Sequence, residues 1–536
     1  MHGLNRKENC ARGLSAARKG AAFLLAAGIL AAGFSAAAAE DGRTVDLSAE
    51  SGTITLTEGG AYTLTGTLDG GRIVVNASKD EKVELILAGA EVISPEGPAV
   101  ECVQAKDLII TLADGTENRL TDAPPAFDSG ENAANGALFS KADVKIRGNG
   151  ALTVEGKYKH GIVSKDDLKI KSGNLTVTSV SDGLRGKDSV TIEGGSLDIR
   201  AGKDGISATN DQKQDKGWIE ILGGKIRIHA AGDGIQSETT LTISGGDFEI
   251  TTEGQSSGQS KSQKGVKTKI MLRISGGTFV MNTRDDAFNS GLDAVVDGGD
   301  FRIETSDDGL HVNRELTVNG GSFDIPVCYE GFEGTSVTIN GGDIRIVSAD
   351  DAIGAAAGTE EAAAFYSRDG NPEVSVTING GEIEAVSGGD TVDSNGNIFV
   401  NGGKLRLSSP AQPYYEGVLL CNGRVTVTGG DLAMVGNIGV ELTVENQPML
   451  LVSFRQDQPE GSEVSLRDQS GNVLMRTTAR RNFTQAIFSG AELQEGETYA
   501  LYIGEEKITD APISGPISKV AADGGEFTGG YPRGHW

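Results

Sequence analysis

The stretch Leu241-Thr242-Ile243-Ser244-Gly245-Gly246-Asp247-Phe248-Glu249-Ile250-Thr251 alternates apolar and polar residues on both sides of a glycine pair. A period of two marks strands with one buried face. Glycine at the junction admits backbone angles that a Cβ would obstruct. The segment is therefore predicted to form two short strands meeting at a glycine corner. The same grammar returns at 189–200, 218–229, 316–325, 374–385 and 398–407. Gly-Gly pairs begin at positions 194, 223, 245, 276, 298, 320, 341, 380, 402 and 429, most often at intervals of about 22 residues.

A repeat of that length with three short strands, the third standing upstream at an Asp-Gly-Ile-like turn, is the unit of a parallel β-helix. Stacked rungs then lie about 4.8 Å apart, with like residues above like residues. Longer intervals hold polar or small-residue insertions at 208–217, 255–265, 354–373 and 408–415, read as loops on a regular solenoid. Residues 158–430 form the regular repeats, and the less regular alternation in 40–157 is read as an N-terminal cap with the first coils. After Gly430 the grammar stops. Residues 431–510 are predicted to form a small antiparallel β module covering the open end, and 511–536 a mobile tail.

Composition sets bounds on function. The 536 residues include 77 Gly, about twice the usual share, and only 13 Pro, which excludes collagen and Pro-rich linkers. A net charge of -27 repels phosphate backbones, so no nucleic-acid partner is expected. Residues 1–39 read as a secretory signal peptide: Arg6, Lys7, Arg12, Arg18 and Lys19 precede an apolar run, and Ala37-Ala38-Ala39 offers small residues for cleavage. Its removal takes the charge to -31, because the segment carries five basic and one acidic residue. No later apolar stretch reaches the roughly 20 residues of a membrane span, so a secreted, extracellular product is expected. Cys102, Cys328 and Cys421 have no framework or metal-knuckle spacing and read as buried core residues. The histidines show no zinc pairing, and no Gly-x-Ser-x-Gly elbow is present.

A recurrent acidic turn precedes the first strand of successive coils, containing Asp182, Asp204, Asp233, Asp285-Asp286, Asp307-Asp308, Glu330, Asp350-Asp351 and Glu416, with Asp390 and Asp393 in another coil. On a solenoid these carboxylates form a ladder. At a spacing of about 4.8 Å they repel one another by about 1 kcal/mol per pair in water. Calcium offsets such repulsion, because oxygens on opposite sides of one ion are about 5 Å apart, close to the rung spacing. Ca2+ is therefore the expected cofactor. Its candidate ligands are Asp182, Asp204, Asp233, Asp285, Asp286, Asp307, Asp308, Glu330, Asp350 and Asp351, and the paired turns are the first choices. A bland alternative is that Asp-Gly makes a good turn whose carboxylate caps a local amide.

Gly66-Thr67-Leu68, the run 108–118, Phe139-Ser140-Lys141-Ala142-Asp143, the run 161–168 and 186–192 resemble the bacterial secreted carbohydrate-binding-domain proteins. The resemblance implies a right-handed parallel β-helix, shaped like pectate lyases, that binds calcium and acidic (pectin or polygalacturonate) or cellulosic plant cell-wall polysaccharide. His160-Gly161-Ile162 departs from the family's Asp-Gly-Ile and puts a metal ligand in that coil in doubt. An acidic glycan meets this acidic surface through bridging calcium or through basic residues. Lys165, Arg185, Lys187 and Lys203 are the basic candidates, and Tyr329, Tyr414 and Tyr415 the leading sugar-stacking ones, while Trp218 reads as core. The main alternative is a calcium-dependent polysaccharide lyase acting by β-elimination, with Arg185, Lys187 or Lys203 as base. A passive adhesion solenoid is the third. No catalytic residue is singled out.

Overall fold

A computed structural model describes residues 43–125, 133–253, 262–357, 371–411, 416–438 and 441–527. Alternating sequence becomes strand almost everywhere; the described residues contain one 3-10 turn, Leu47–Ala49. A typical coil has three strands, Leu310–Val312, Glu315–Val318 and Ser322–Cys328. Each pairs in parallel with its counterpart in the next coil, Phe332–Gly334, Ser336–Ile339 and Asp343–Ser348. The first face of this parallel β-helix is a fifteen-stranded parallel sheet running from Thr53–Leu56 to Leu420–Cys421. The glycine-corner strands form the other two faces.

Register explains the core. Pairing Leu316 with Val337 and Val318 with Ile339 places apolar side chains in columns, and Asp343–Ser348 alternates exposed and buried along its whole length. One column is aromatic: Phe248, Phe279, Phe301 and Phe323 stack with centroids 4.6, 4.9 and 4.4 Å apart. Phe288 meets Phe279 and Phe301 edge-on at 5.4 and 5.7 Å. Offset and edge contacts of this kind add to the burial of each ring. The corner beneath them requires glycine. Gly299 has φ +128°, and a Cβ there would lie 2.9 Å from the Phe301 ring. Outside, Asn340, Asn379 and Asn401 each donate Nδ2 to Oδ1 of the Asn one coil earlier at 2.8 Å, beginning from Asn319.

The N-terminal region is true solenoid: Arg43–Asp46 pairs in parallel with Gly60–Asp69, which pairs in parallel with Lys82–Ile93. At the other end Asp431–Val435 pairs antiparallel with Phe483–Ser489. A four-stranded antiparallel sheet follows, in the order Val473–Thr478, Glu463–Arg467, Thr498–Ile503, Glu506–Pro512. It has its own core around Phe454, Phe483, Phe488 and Leu501. From sequence the module is expected to end at 510 with a mobile tail beyond it. Instead Ile513 is buried and Ile517–Ala521 pairs in parallel with Met449–Gln458, so order extends through that strand. Cys102, Cys328 and Cys421 are free and buried. Among the described residues no helix is long and apolar enough to cross a membrane.

Candidate functional site: an acidic ladder in two halves

The turn entering each strand of the fifteen-stranded sheet places one residue per coil in a column. In order the column reads His160, Asp182, Asp204, Asp233, Lys264, Asp286, Asp308, Glu330, Asp351, Asp390 and Glu416. Backbone bonds define it: from His160 through Asp351 the amide after each member donates to the carbonyl of the next, as in Gly183 to Asp204, Gly234 to Lys264 and Gly309 to Glu330, each of these at 2.8–2.9 Å. Lys264 is a ladder position that sequence reading assigned to an insertion. A second column lies one residue upstream and contains Lys203, Asp285, Asp307, Tyr329, Asp350 and Gly389.

Local geometry explains why Asp is used here. The ladder amide of one coil points at the side chain of the coil before it and needs a short acceptor. Asp204 Oδ1 accepts from Asp233 N at 3.0 Å, Asp233 Oδ1 from Lys264 N at 2.9 Å, Asp308 Oδ1 from Glu330 N at 3.2 Å and Asp351 Oδ1 from Asp390 N at 2.7 Å. His160 does the same work, its Nδ1 accepting from Asp182 N at 3.1 Å. Burial pushes the His160 pKa down to about 4, so the ring stays neutral and keeps its lone pair for that bond.

Charge divides the ladder. In the first half Arg185 lies 2.8 Å from Asp182, Lys203 2.8 Å from Asp204 and Lys267 3.3 Å from Asp233. Lys264 reaches Asp285 at 2.5 Å and Asp286 at 2.6 Å. Burial alone would lower the Lys203 pKa, but Asp182 and Asp204 outweigh it and hold the ammonium above its ordinary range. From Glu330 onward no lysine or arginine among the described residues pairs with the ladder, and Asp393 adds a further carboxylate. Burial, reinforced by Glu333 and Asp308, pushes Glu330 up to about 9. Burial with neighbouring carboxylates likewise raises Asp390 to about 8, Asp393 to about 7 and Asp351 to about 6.

At the centre of this second half Gly389 stands against two carboxylates. A Cβ built on it would lie 2.4 Å from Asp350 Oδ1 and 2.7 Å from Asp351 Oδ1, so the missing side chain leaves a cradle faced by two hard oxygen donors. Hard carboxylate oxygens are the donor type that calcium takes, and two of its six to eight ligands could come from here. Tyr329 is 46% exposed beside it and donates its hydroxyl to Asp350 Oδ2 at 2.7 Å. Val327 and Val347, on the strands Ser322–Cys328 and Asp343–Ser348 of adjacent coils, are also exposed.

The sequence profile of the carbohydrate-binding domain-containing proteins matches residues 50–309 and 313–412. The chain belongs to this family. A carbohydrate-binding domain-containing protein of Acetivibrio thermocellus is 36% identical over 133 residues, 24% of this chain and 46% of the relative. The chain thus spans less than half the length of that relative. The solved structure of a polysaccharide lyase-like protein from C. thermocellum, a gadolinium derivative, is 35% identical with a TM-score of 0.38, covering 42% of this chain and 88% of that one.

In this carbohydrate-binding domain-containing protein the other sequence-derived candidates are dispersed. Arg185 and Lys203 are committed to Asp182 and Asp204. Lys187 is exposed, and Lys165 lies over the Phe139 ring at 5.9 Å. Trp218 is half-buried in the outward register beside Ser189, not in the core, because Ile219 and Ile221 take the inward positions. Tyr414 and Tyr415 lie outside the described residues. Two groups of carboxylates draw together at the separation expected across one ion. Asp285, Asp286 and Asp307 have ligand oxygens within 4.8 Å of one another, and so do Asp143, Asp166 and Asp167 at a different corner. The second group escaped the sequence reading because Asp143 and Asp167 sit on paired strands of adjacent coils, 24 residues apart.

Raised carboxyl pKa values make a signed prediction. These groups bind protons more tightly folded than unfolded, so their stabilising contribution is complete at low pH and lost as pH rises through about 6 to about 9. In chelator, the melting temperature is expected to fall by about 3–6 °C between pH 6 and pH 9. A flat profile would show that the second half is neutralised by another route.

Proposed function

We propose that this protein is a secreted polysaccharide-binding solenoid in which Ca2+ occupies the second half of the ladder and bridges the protein to an acidic, pectin-type glycan. The carrying observation is the change in charge along the column: four basic side chains neutralise the first half, and none among the described residues pairs with Glu330, Asp350, Asp351, Asp390 or Asp393. Ligands for the ion come from Asp350 and Asp351 at the Gly389 cradle, with Glu330, Asp390, Asp393 and Glu416 supplying charge around it. The ion supplies charge neutralisation and open coordination positions for sugar oxygens. Tyr329 supplies an exposed aromatic face for a sugar ring. Secretion is supported by the basic-apolar-small pattern of residues 1–39.

Binding, not bond cleavage, is the reading that the basic residues favour. An eliminating base needs a depressed pKa, and the Lys203 ammonium is held in its charged form by Asp182 and Asp204.

Co-sedimentation of the protein with insoluble pectin and with cellulose, in calcium and in chelator, tests this reading. Retention on pectin is expected only in calcium, without unsaturated product in the supernatant. Tyr329→Ala is expected to weaken it by about tenfold, the scale of one well-stacked aromatic contact. Calcium-independent retention on cellulose would move the glycan away from the ladder, and retention on neither polymer would end the polysaccharide reading.

A further inference from the structure

We propose that His311, Asp308 and Glu333, with Asp286 beside them, form a binding site for one transition-metal dication of the Zn2+ or Co2+ class, separate from the calcium cradle. His311 lies on Leu310–Val312. Its register is the one in which earlier coils carry Arg185, Ser207, Gln236, Lys267 and Asn289, and the next coil carries Glu333. The side chain therefore stands where the column of basic partners ends.

His311 Nδ1 lies 2.9 Å from Asp308 Oδ2 and 2.5 Å from Glu333 Oε2. One nitrogen carries at most one hydrogen, so it can donate fully to only one of these oxygens. Solvent reaches His311 and Glu333 but does little for the two aspartates. Asp308 is 5% exposed and Asp286 2%, which limits hydration. Asp308 Oδ1 is already occupied by Glu330 N, and it is the other oxygen that faces the ring. Asp286 Oδ2 is shared by Lys264 and Asn289, and the same Lys264 also serves Asp285. Ligand atoms of Asp286, Asp308 and His311 lie within 4.8 Å of one another. A dication replacing the single hydrogen would satisfy His311, Asp308 and Glu333 together.

Donor chemistry selects the ion class. Calcium and magnesium prefer all-oxygen sets, whereas an imidazole nitrogen among carboxylates favours Zn2+, Co2+ and their neighbours. Asp308 and His311 belong to one coil and Glu333 to the next, with Asp286 on the coil before, so the ion would staple adjacent coils where the internal cations run out.

The test uses the full chain, dialysed against chelator and titrated with Co2+ alone, then with Zn2+ in competition. One Co2+ per chain is expected to give visible d-d absorption that persists in a hundredfold excess of Ca2+ and is displaced by Zn2+. His311→Gln is expected to remove the absorption and weaken Zn2+ binding by at least about tenfold, while calcium-dependent retention on pectin is kept. Should that variant lose its fold, Glu333→Gln is expected to weaken Co2+ binding by a similar factor. Absence of Co2+ uptake, full displacement by equimolar Ca2+, or unchanged Zn2+ affinity in a folded His311→Gln protein would overturn the site. Loss of pectin retention in all forms would count against the calcium reading without touching this one.

Discussion

Gly389→Ala is expected to erase the calcium-dependent gain in stability and the calcium-dependent retention on pectin, leaving the calcium-free protein folded. The backbone at 389 is outside the left-handed region, so alanine meets no conformational penalty there. The cost falls on the cradle: the added Cβ competes for the space faced by Asp350 Oδ1 and Asp351 Oδ1, at 2.4 and 2.7 Å. An ion that binds only the folded chain contributes about 2.7 kcal/mol at a hundred times its Kd. In the wild type this appears as a rise in melting temperature of a few degrees on adding calcium. In the variant the curves with calcium and with chelator should coincide. An undiminished calcium response would place the ion elsewhere, with Asp285, Asp286 and Asp307 next to be examined. Asp351→Asn offers a second route that adds no atoms to the cradle.

Phe279→Ala is expected to be the most destabilising single change in the solenoid, at about 3–5 kcal/mol. Its ring is fully buried, stacks on Phe248 and Phe301, and receives the edge of Phe288. Truncation removes contacts in three directions, and the parallel strands on either side restrict collapse of the cavity. Because each coil contacts chiefly its neighbours, the damage should be local. Hydrogen exchange is expected to quicken across 247–305 and to stay near wild type around 60–112. A Phe279→Leu protein should recover most of the loss. Uniformly faster exchange along the whole chain would instead mean that the solenoid unfolds as one unit.

Much of this protein was legible in one dimension because its fold is nearly one-dimensional. The Gly-Gly spacing reported the coil length, and alternation such as Asp343–Ser348 reported which side chains face inward. The acidic turn was equally visible, since Asp recurs where each coil needs an acceptor for the next coil's amide. Reading failed where the chain departs from periodicity. Lys264 was hidden behind an insertion, although it stands squarely in the ladder. Asp143 and Asp167 stand 24 residues apart in the chain, yet they lie on adjacent coils with Asp166 alongside. Arg185 and Lys203 looked available for an acidic sugar and are engaged by the ladder itself. The strand Ile517–Ala521 was missed because its pairing partner, Met449–Gln458, lies 68 residues earlier in register.

The sequence alone determined the repeat, the inward and outward faces and the column of carboxylates, because strand period and coil length are local properties that register then copies upward. Only the tertiary structure decided which carboxylates are neutralised. Lys203 lies beside Asp204 in the chain but also faces Asp182, and Lys264 and Lys267 reach carboxylates about 21 to 34 residues away. Whether a buried charge is offset depends on distances of a few ångströms and on the dielectric around it, and both are set by neighbouring coils. The division of one ladder into a neutralised half and an open half is therefore a property of stacking.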